Sequence, residues 1–372
     1  MNKKNLDKII EHYISNFDYL NRSEEEGGAD EGYKWRVISA FKKHWDIDAE
    51  DFAAMFQLSM SEIAKTNLIN NATVQPISGI TNLMKIKGEA EFVREEFRKL
   101  LAEDDGDLDD RGDRVNDFLE NMNSRINEKL KGSWKSEQQR NAVIFYLNLW
   151  RPEDNYLFKA TEAKEWADTI EYADDFGSGS SFSLKKYYKM CDELREAIKD
   201  YPEVLELNKA RVAKEAVGYD DHEHLLAFDI IYCSHYMDFY KDCPSLGVST
   251  KERIRIARRR EETERIENEI INNEKTIDEL EALIKPYPDI TGEKVIHKTL
   301  GEGQVTRCKD GYFFVQFSSK ELEFNGSAFT NDFLKMKESD DIIYQENYKL
   351  GQQIKKMGET IKNLRRKLET LE

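Results

Sequence analysis

The chain has 372 residues, 39% hydrophobic and 11% aromatic, which is enough apolar material for roughly two or three domains and too much for wholesale disorder. Its formal net charge of -17 excludes a general nucleic-acid coat, because an acidic chain repels phosphate at long range, and leaves that role only to a local basic patch. The 4 cysteines, Cys191, Cys233, Cys243 and Cys308, lie far apart in the chain, as reduced thiols of a reducing compartment do. No apolar run reaches the length of a membrane span, and Met1-Asn2-Lys3-Lys4 leads into an amphipathic segment, so a cytoplasmic location is expected.

In chain order, Leu6, Ile9, Ile10, Tyr13, Ile14 and Phe17 recur at helical spacing, and the loop 23–32 ends that helix. Trp35, Ile38, Phe41 and Trp45 predict a second helix, and Asp48-Ala-Glu-Asp51 has the form of a capping box before Phe52, Met55 and Phe56. The polar stretch 66–79, with Pro76, reads as a loop, and the acidic stretch 103–113 as a solvated connector. Helices are predicted over 89–101, 116–130, 138–150, 162–170 and 184–198, with a short strand at 155–160. The dense run Leu225-Leu-Ala-Phe-Asp-Ile-Ile-Tyr-Cys233 is a buried helix or strand. Residues 1–245 therefore form one mainly helical domain, with the exit at Cys243-Pro244-Ser-Leu-Gly247.

The pattern then changes. Ile256, Thr263, Ile270, Ile277 and Ile284 recur every seventh residue, with Ile266 and Leu280 at the matching positions between them. A second series closes the chain: Ile343, Asn347, Leu350, Ile354, Met357, Ile361, Leu364, Leu368 and Leu371. Such stripes bury themselves against another helix, and a single polar residue inside the seam, Asn273 or Asn347, sets register. Each arm is about 35 residues, or about 50 Å of helix. Equal arms, 246–289 and 337–372, flanking an insert at 290–336 predict an antiparallel coiled-coil hairpin; dimerisation through either arm is the competing reading. The insert has strand patterning: Lys294-Val-Ile-His297, Gly303-Gln-Val-Thr306, Tyr312-Phe-Phe-Val-Gln-Phe317 and Glu321-Leu-Glu-Phe324, separated by turn signals. Phe313, Val315 and Phe317 alternate inward and leave Tyr312 and Phe314 outward as candidate ligand-binding aromatics on a small β-barrel.

The words Lys294-Val-Ile-His-Lys-Thr-Leu-Gly-Glu-Gly-Gln-Val305, Phe313-Val-Gln-Phe317 and Ala328-Phe329 resemble the Tudor-like module of UvrD/PcrA-type helicases. That resemblance implies a domain that docks on protein or nucleic acid and catalyses nothing. Tyr33-Lys-Trp35, His44-Trp-Asp-Ile-Asp-Ala-Glu-Asp-Phe52, Tyr156-Leu-Phe-Lys159 and Leu225–Cys233 resemble the amino-terminal helical domain of McrB-like restriction proteins, which implies recognition of a target, often modified DNA. The GTPase/AAA engine of that family is absent from this sequence, since no G-x-x-x-x-G-K-[ST] word occurs; any motor or nuclease would be a separate chain.

The sequence offers little catalytic chemistry. His222, His224, Cys233, His235 and Cys243 match no zinc-ligand spacing, so no metal is expected. Gly177-Ser-Gly-Ser-Ser181 lacks the lysine of a phosphate loop and reads as a flexible turn; no cofactor and no catalytic residue is assigned. The basic tract Lys251, Arg253, Arg255, Arg258, Arg259 and Arg260 is the candidate nucleic-acid contact, against the alternative that it pairs with Asp340, Asp341 or residues 369–372, or is simply solvated. These readings converge on a non-catalytic recognition or accessory subunit of a bacterial restriction-like defence system that binds nucleic acid or a phage component. Its protein partner would be an ATPase or nuclease subunit, and homo-oligomers through the coiled coil are compatible. The alternatives are a purely structural coiled-coil scaffold and a metal-dependent nuclease with an unreadable site.

Overall fold

The computed structural model describes residues 1–66, 68–69, 73–131, 134–215, 222–244, 247–338 and 342–371. They fall into two compact units, Met1–Ala257 and Arg258–Glu372. Among them no helix is long and apolar enough to cross a membrane.

The first unit is helical: α1 (Lys3–Asn21), α2 (Tyr33–His44), α3 (Phe52–Ser59), α4 (Pro76–Met84), α5 (Glu89–Leu100), α6 (Leu108–Lys129), α7 (Arg140–Trp150), α8 (Ala160–Thr169), α9 (Leu184–Ile198), α10 (Pro202–Glu215) and α11 (His224–Tyr236). The apolar stripes read in the sequence face one core. Leu6, Ile9, Ile10 and Tyr13 of α1 are buried, and Phe41 and Trp45 meet Phe52, Phe56 and Phe97 as an aromatic cluster. The run Leu225–Cys233 is helical, in α11, and apolar all round because it lies inside the core.

Several local expectations are corrected. Asp51, not Asp48, caps α3, accepting from the Ala54 N–H at 3.0 Å, while Asp48 pairs with Arg98. The expected loop at 66–79 contains the start of α4, with Pro76 at the first helical position, where its missing N–H costs nothing; residues 67 and 70–72 lie outside the described residues. The acidic connector is less solvated than its composition implies. Asp107 caps α6, and the Asp104 carboxylate is held between Arg111 and Arg114, with hydrogen bonding from Arg111 keeping it below the usual carboxylate range. The short strand expected at 155–160 is not formed: among the described residues of this unit there is no strand for it to pair with, and Asn155 instead bonds Arg111, Asn148 and Tyr188. The first unit also extends past residue 245, because Arg253 is built into it, as described below.

Helix α12 (Thr250–Ala282) begins in the first unit and runs into the second. The second unit also holds β1 (Lys294–His297), β2 (Gly301–Lys309), β3 (Tyr312–Phe317), β4 (Glu321–Asn325), α13 (Ser327–Thr330), β5 (Leu334–Met336) and α14 (Ile342–Leu371). The strands form one antiparallel sheet in the order β4-β3-β2-β1-β5, with a bulge between Val305 and Arg307. Val295, Val305, Phe313, Val315, Phe317 and Phe329 fill its inner face. Gly303 is required there, since a Cβ on it would lie 2.7 Å from Val315 Cγ1.

Within the second unit α12 and α14 run antiparallel. Lys285 pairs with Glu346, Glu274 with Arg365 and Glu262 with Lys367, so one number falls as the other rises. Ile266, Ile270 and Ile361 are buried between them, with Ile277, Leu364, Leu368 and Leu371 half-covered. The two seam asparagines behave differently. Asn347 is buried and reaches across to the chain just beyond α12, whereas Asn273 only bonds the Glu269 carbonyl of its own helix.

Candidate functional site

The basic tract occupies the first turns of α12, where the Ser249 hydroxyl accepts from the Glu252 N–H at 3.3 Å. The structure divides its cations sharply. Arg253 is only 4% exposed. Its guanidinium donates to the carbonyls of Ala167 at 2.9 Å, Tyr172, and Asp174 at 3.3 Å, and its Nε lies 3.0 Å from the Asp168 carboxylate. Arg253 is therefore a structural anchor and not a phosphate contact, which corrects the expectation for this residue: its two terminal guanidinium nitrogens are bonded inside the first unit, its Nε is buried facing Asp168, and the side chain is covered by protein. Lys251, Arg255, Arg258 and Arg259 are exposed, and Arg255 is tied to Glu252 of its own helix at 2.7 Å. Arg260 is half-buried, with Nε 4.0 Å from Glu264. Asp340, Asp341 and Glu372, named above as alternative partners, lie outside the described residues.

On the sheet, Tyr312 is 44% exposed and Phe314 half-buried, both on the face away from the inner core. They are not equivalent. Phe314 lies beneath the Arg307 guanidinium at 3.9 Å from its ring centroid, so its outer face is already covered. Tyr312 lines a cleft of about 590 Å³ together with Pro286, Tyr287, Pro288, Lys309 and Gly311.

The histidines and cysteines weighed as metal ligands in the sequence have separate partners. His224 bonds Arg195 and packs on the Tyr156 ring at 4.4 Å, His235 pairs with Glu165, and Cys243 donates to the Asn5 carbonyl at 3.6 Å. Cys233 does join a cluster that sequence reading missed. Glu31, Asp229 and Cys233 bring their ligand atoms within 4.8 Å of one another, fully inside the first unit. The positive charge there is the protein's own. The Lys34 ammonium contacts both carboxylates, and Arg211 donates to Asp229 at 2.8 Å while stacking on Trp35 at 3.7 Å. Tyr13 completes the set with a 2.6 Å bond to Asp229. Two cations match two carboxylates, so the cluster is a charge-balanced structural network, although Glu31 Oε2 and Arg211 Nε make no hydrogen bond. Its sequence signal is a single charge inside an apolar word: Lys34 between Tyr33 and Trp35, and Asp229 within Leu225–Cys233.

Comparison with known protein families, curated proteins and solved structures finds no match to this chain. Its role has to come from its own side chains. Among the surfaces expected to bind, those that remain accessible are the exposed cations of α12 and the Tyr312 cleft. Both present binding chemistry: point charges and forks for anions, and an aromatic rim for a ring or a side chain.

Proposed function

We propose that this chain is a non-catalytic recognition subunit of a bacterial restriction-like defence system, contacting nucleic acid through α12 and docking a partner effector through its carboxy-terminal part. In this reading α12 and α14 form a coiled-coil hairpin that carries a Tudor-like barrel, with the Tyr312 cleft as the docking surface. The observation that carries the nucleic-acid contact is the division of the basic tract: Arg253 fixes the helix, and Lys251, Arg255, Arg258 and Arg259 stay exposed. Their spacing of i, i+4, i+7 and i+8 puts them on one helical face about 12 Å long, suited to following a phosphate backbone. The exposed cluster is local in a chain of net charge -17, so its attraction is short-ranged and screened by salt.

Fluorescence anisotropy of the whole chain with a labelled duplex at low and moderate salt tests this reading. Three or four phosphate contacts give a slope of log affinity against log salt of about -3. The variant carrying Arg255→Glu, Arg258→Glu and Arg259→Glu should flatten that slope and weaken all sequences equally, since phosphate contacts do not specify bases. Unchanged affinity in the folded variant overturns the contact and leaves the scaffold reading. Magnesium-dependent cleavage of the duplex would instead establish the nuclease.

A further inference from the structure

The glycine-serine segment 177–181, which reads as a flexible turn in the sequence, lines a pocket of about 380 Å³ in the first unit. We propose that this pocket is a binding site for a small phosphate-bearing ligand, with Arg140 and Lys164 as the cations and Ser178 as the hydroxyl partner. Its lining includes Thr250, the first residue of α12, but none of the cations assigned to the nucleic-acid contact.

The case starts from Arg140, at the first position of α7. It is half-buried, and its guanidinium is held in place by neutral groups: it donates to Asn116 Oδ1 at 2.8 Å and to the Gly179 carbonyl at 3.1 Å, and lies 5.1 Å over the Phe182 ring. Two of its five N–H donors are used in this way, and no carboxylate pairs with it among the described residues. Burial alone presses on its charge, lowering its pKa. Every more deeply covered arginine of this unit is treated differently. Arg111 has Asp104, Arg211 has Asp229 and Arg253 has Asp168. A partly desolvated, oriented and unneutralised guanidinium is a costly arrangement that an incoming anion relieves.

The rest of the pocket fits that anion. Lys164, one turn into α8, lines it and makes no ion pair among the described residues. Asp175 also lines it, with its carboxylate accepting the Gly177 N–H at 2.8 Å, so two cations face one anion. The serine loop is rigid: Ser181 Oγ donates to the Ser178 carbonyl at 2.9 Å and accepts from its N–H at 3.2 Å. Gly177 has φ +73°, and a Cβ on it would lie 2.2 Å from the Ser181 carbonyl oxygen, so only glycine closes this loop. Phe158, Phe176 and Phe182 supply an apolar wall against which the carbon portion of a ligand can lie. A phosphate monoester on a ring, of mononucleotide size, satisfies both the charge and the wall.

The test uses the whole chain, with thermal denaturation and calorimetric titration against inorganic phosphate, adenosine monophosphate and adenosine at constant ionic strength. The phosphate-bearing probes should raise the melting temperature and adenosine should not. Arg140→Gln and Lys164→Gln should each weaken binding about tenfold or more. Lys164 is exposed, so its variant keeps the fold should Arg140→Gln lose it. A response to inorganic phosphate alone supports the site and assigns it the free anion. No response to either phosphate-bearing probe, or undiminished binding in Lys164→Gln together with a folded Arg140→Gln, overturns the proposal.

Discussion

The Asn347 side chain of α14 forms both halves of an amide pair with the backbone of Lys285: its Oδ1 accepts the Lys285 N–H at 3.0 Å and its Nδ2 donates to the Lys285 carbonyl at 2.7 Å. Asn347 is 0% exposed, so its side-chain amide relies on this pair for its hydrogen bonds. Replacing Asn347 by Leu keeps the branching of the side chain and removes both bonds. The loss is expected to be about 2 kcal/mol or more, read as a lower urea midpoint, and an unchanged midpoint would show that the pair is dispensable.

A glycine pair on α14 gives a sharper contrast. A Cβ on Gly351 would lie 2.6 Å from both Cβ and O of Thr330 on α13, whereas one on Gly358 would meet nothing within 4 Å. Gly351→Ala should therefore cost about 1–3 kcal/mol through overpacking. Gly358→Ala, in open space on the same helix, should stabilise by up to about 1 kcal/mol. Equal effects from the two substitutions would mean that α13 does not pack on α14 this closely.

The buried charge network predicts an acid limb. Burial pushes the Asp229 carboxyl up, but Lys34 and Arg211 outweigh it and hold the pKa at about 2, below its ordinary 3.8. A depressed carboxylate contributes stability that is fully present above 3.8 and lost as pH falls toward about 2; the shift corresponds to about 2 kcal/mol. Glu31 acts in the opposite sense. Burial raises its pKa, so its ionisation opposes folding once pH passes its ordinary value of 4.5. Asp229→Asn should remove the Asp229 component of the acid limb and, by leaving two buried cations with the single carboxylate of Glu31, cost about 3–5 kcal/mol at neutral pH. Chemical denaturation from pH 2 to 7 measures both effects.

Arg253 and Arg255 are two residues apart and should behave as different kinds of residue. Arg253→Met strands the carbonyls of Ala167, Tyr172 and Asp174 and is expected to cost about 3 kcal/mol. Arg255→Met removes only a surface pair and should stay within about 0.5 kcal/mol of the parent. A stable Arg253→Met protein would show that these carbonyl bonds contribute little to the fold.

Periodicity made the long elements legible. The helix predicted at 184–198 is α9, and the alternation in Tyr312–Phe317 is the burial alternation of β3. What escaped depends on residues far apart in sequence. Helix α10 has a weak apolar stripe, with Val204 buried and Leu205, Leu207 and Val212 half-covered against the core, and Arg211 ties it to the ion network around Asp229. The segment 155–160 carries strand-like residues but has no strand to pair with among the described residues of its unit. The Arg140 pocket was invisible for the same reason: the serine loop holds no cation, and its cations arrive from α7 and α8. Among the α12 cations, nothing in the local sequence separates Arg253 from its neighbours; only the carbonyls waiting in the first unit do.

The strand order of the sheet also bears on how the second unit assembles. From β1 to β4 each strand pairs with the next in sequence, so the first ordered structure needs only short loop closures. Once β5 has joined β1, the two chain ends leaving the sheet are already neighbours. The Lys285–Asn347 pair, 62 residues apart in the chain, then closes at little further entropic cost. The Glu274–Arg365 and Glu262–Lys367 pairs, separated by 91 and 105 residues, follow outward one turn at a time. The long helices should therefore zip from the sheet and fray from the far end. Hydrogen-exchange protection along α14 is expected to decline from Asn347 toward Leu371.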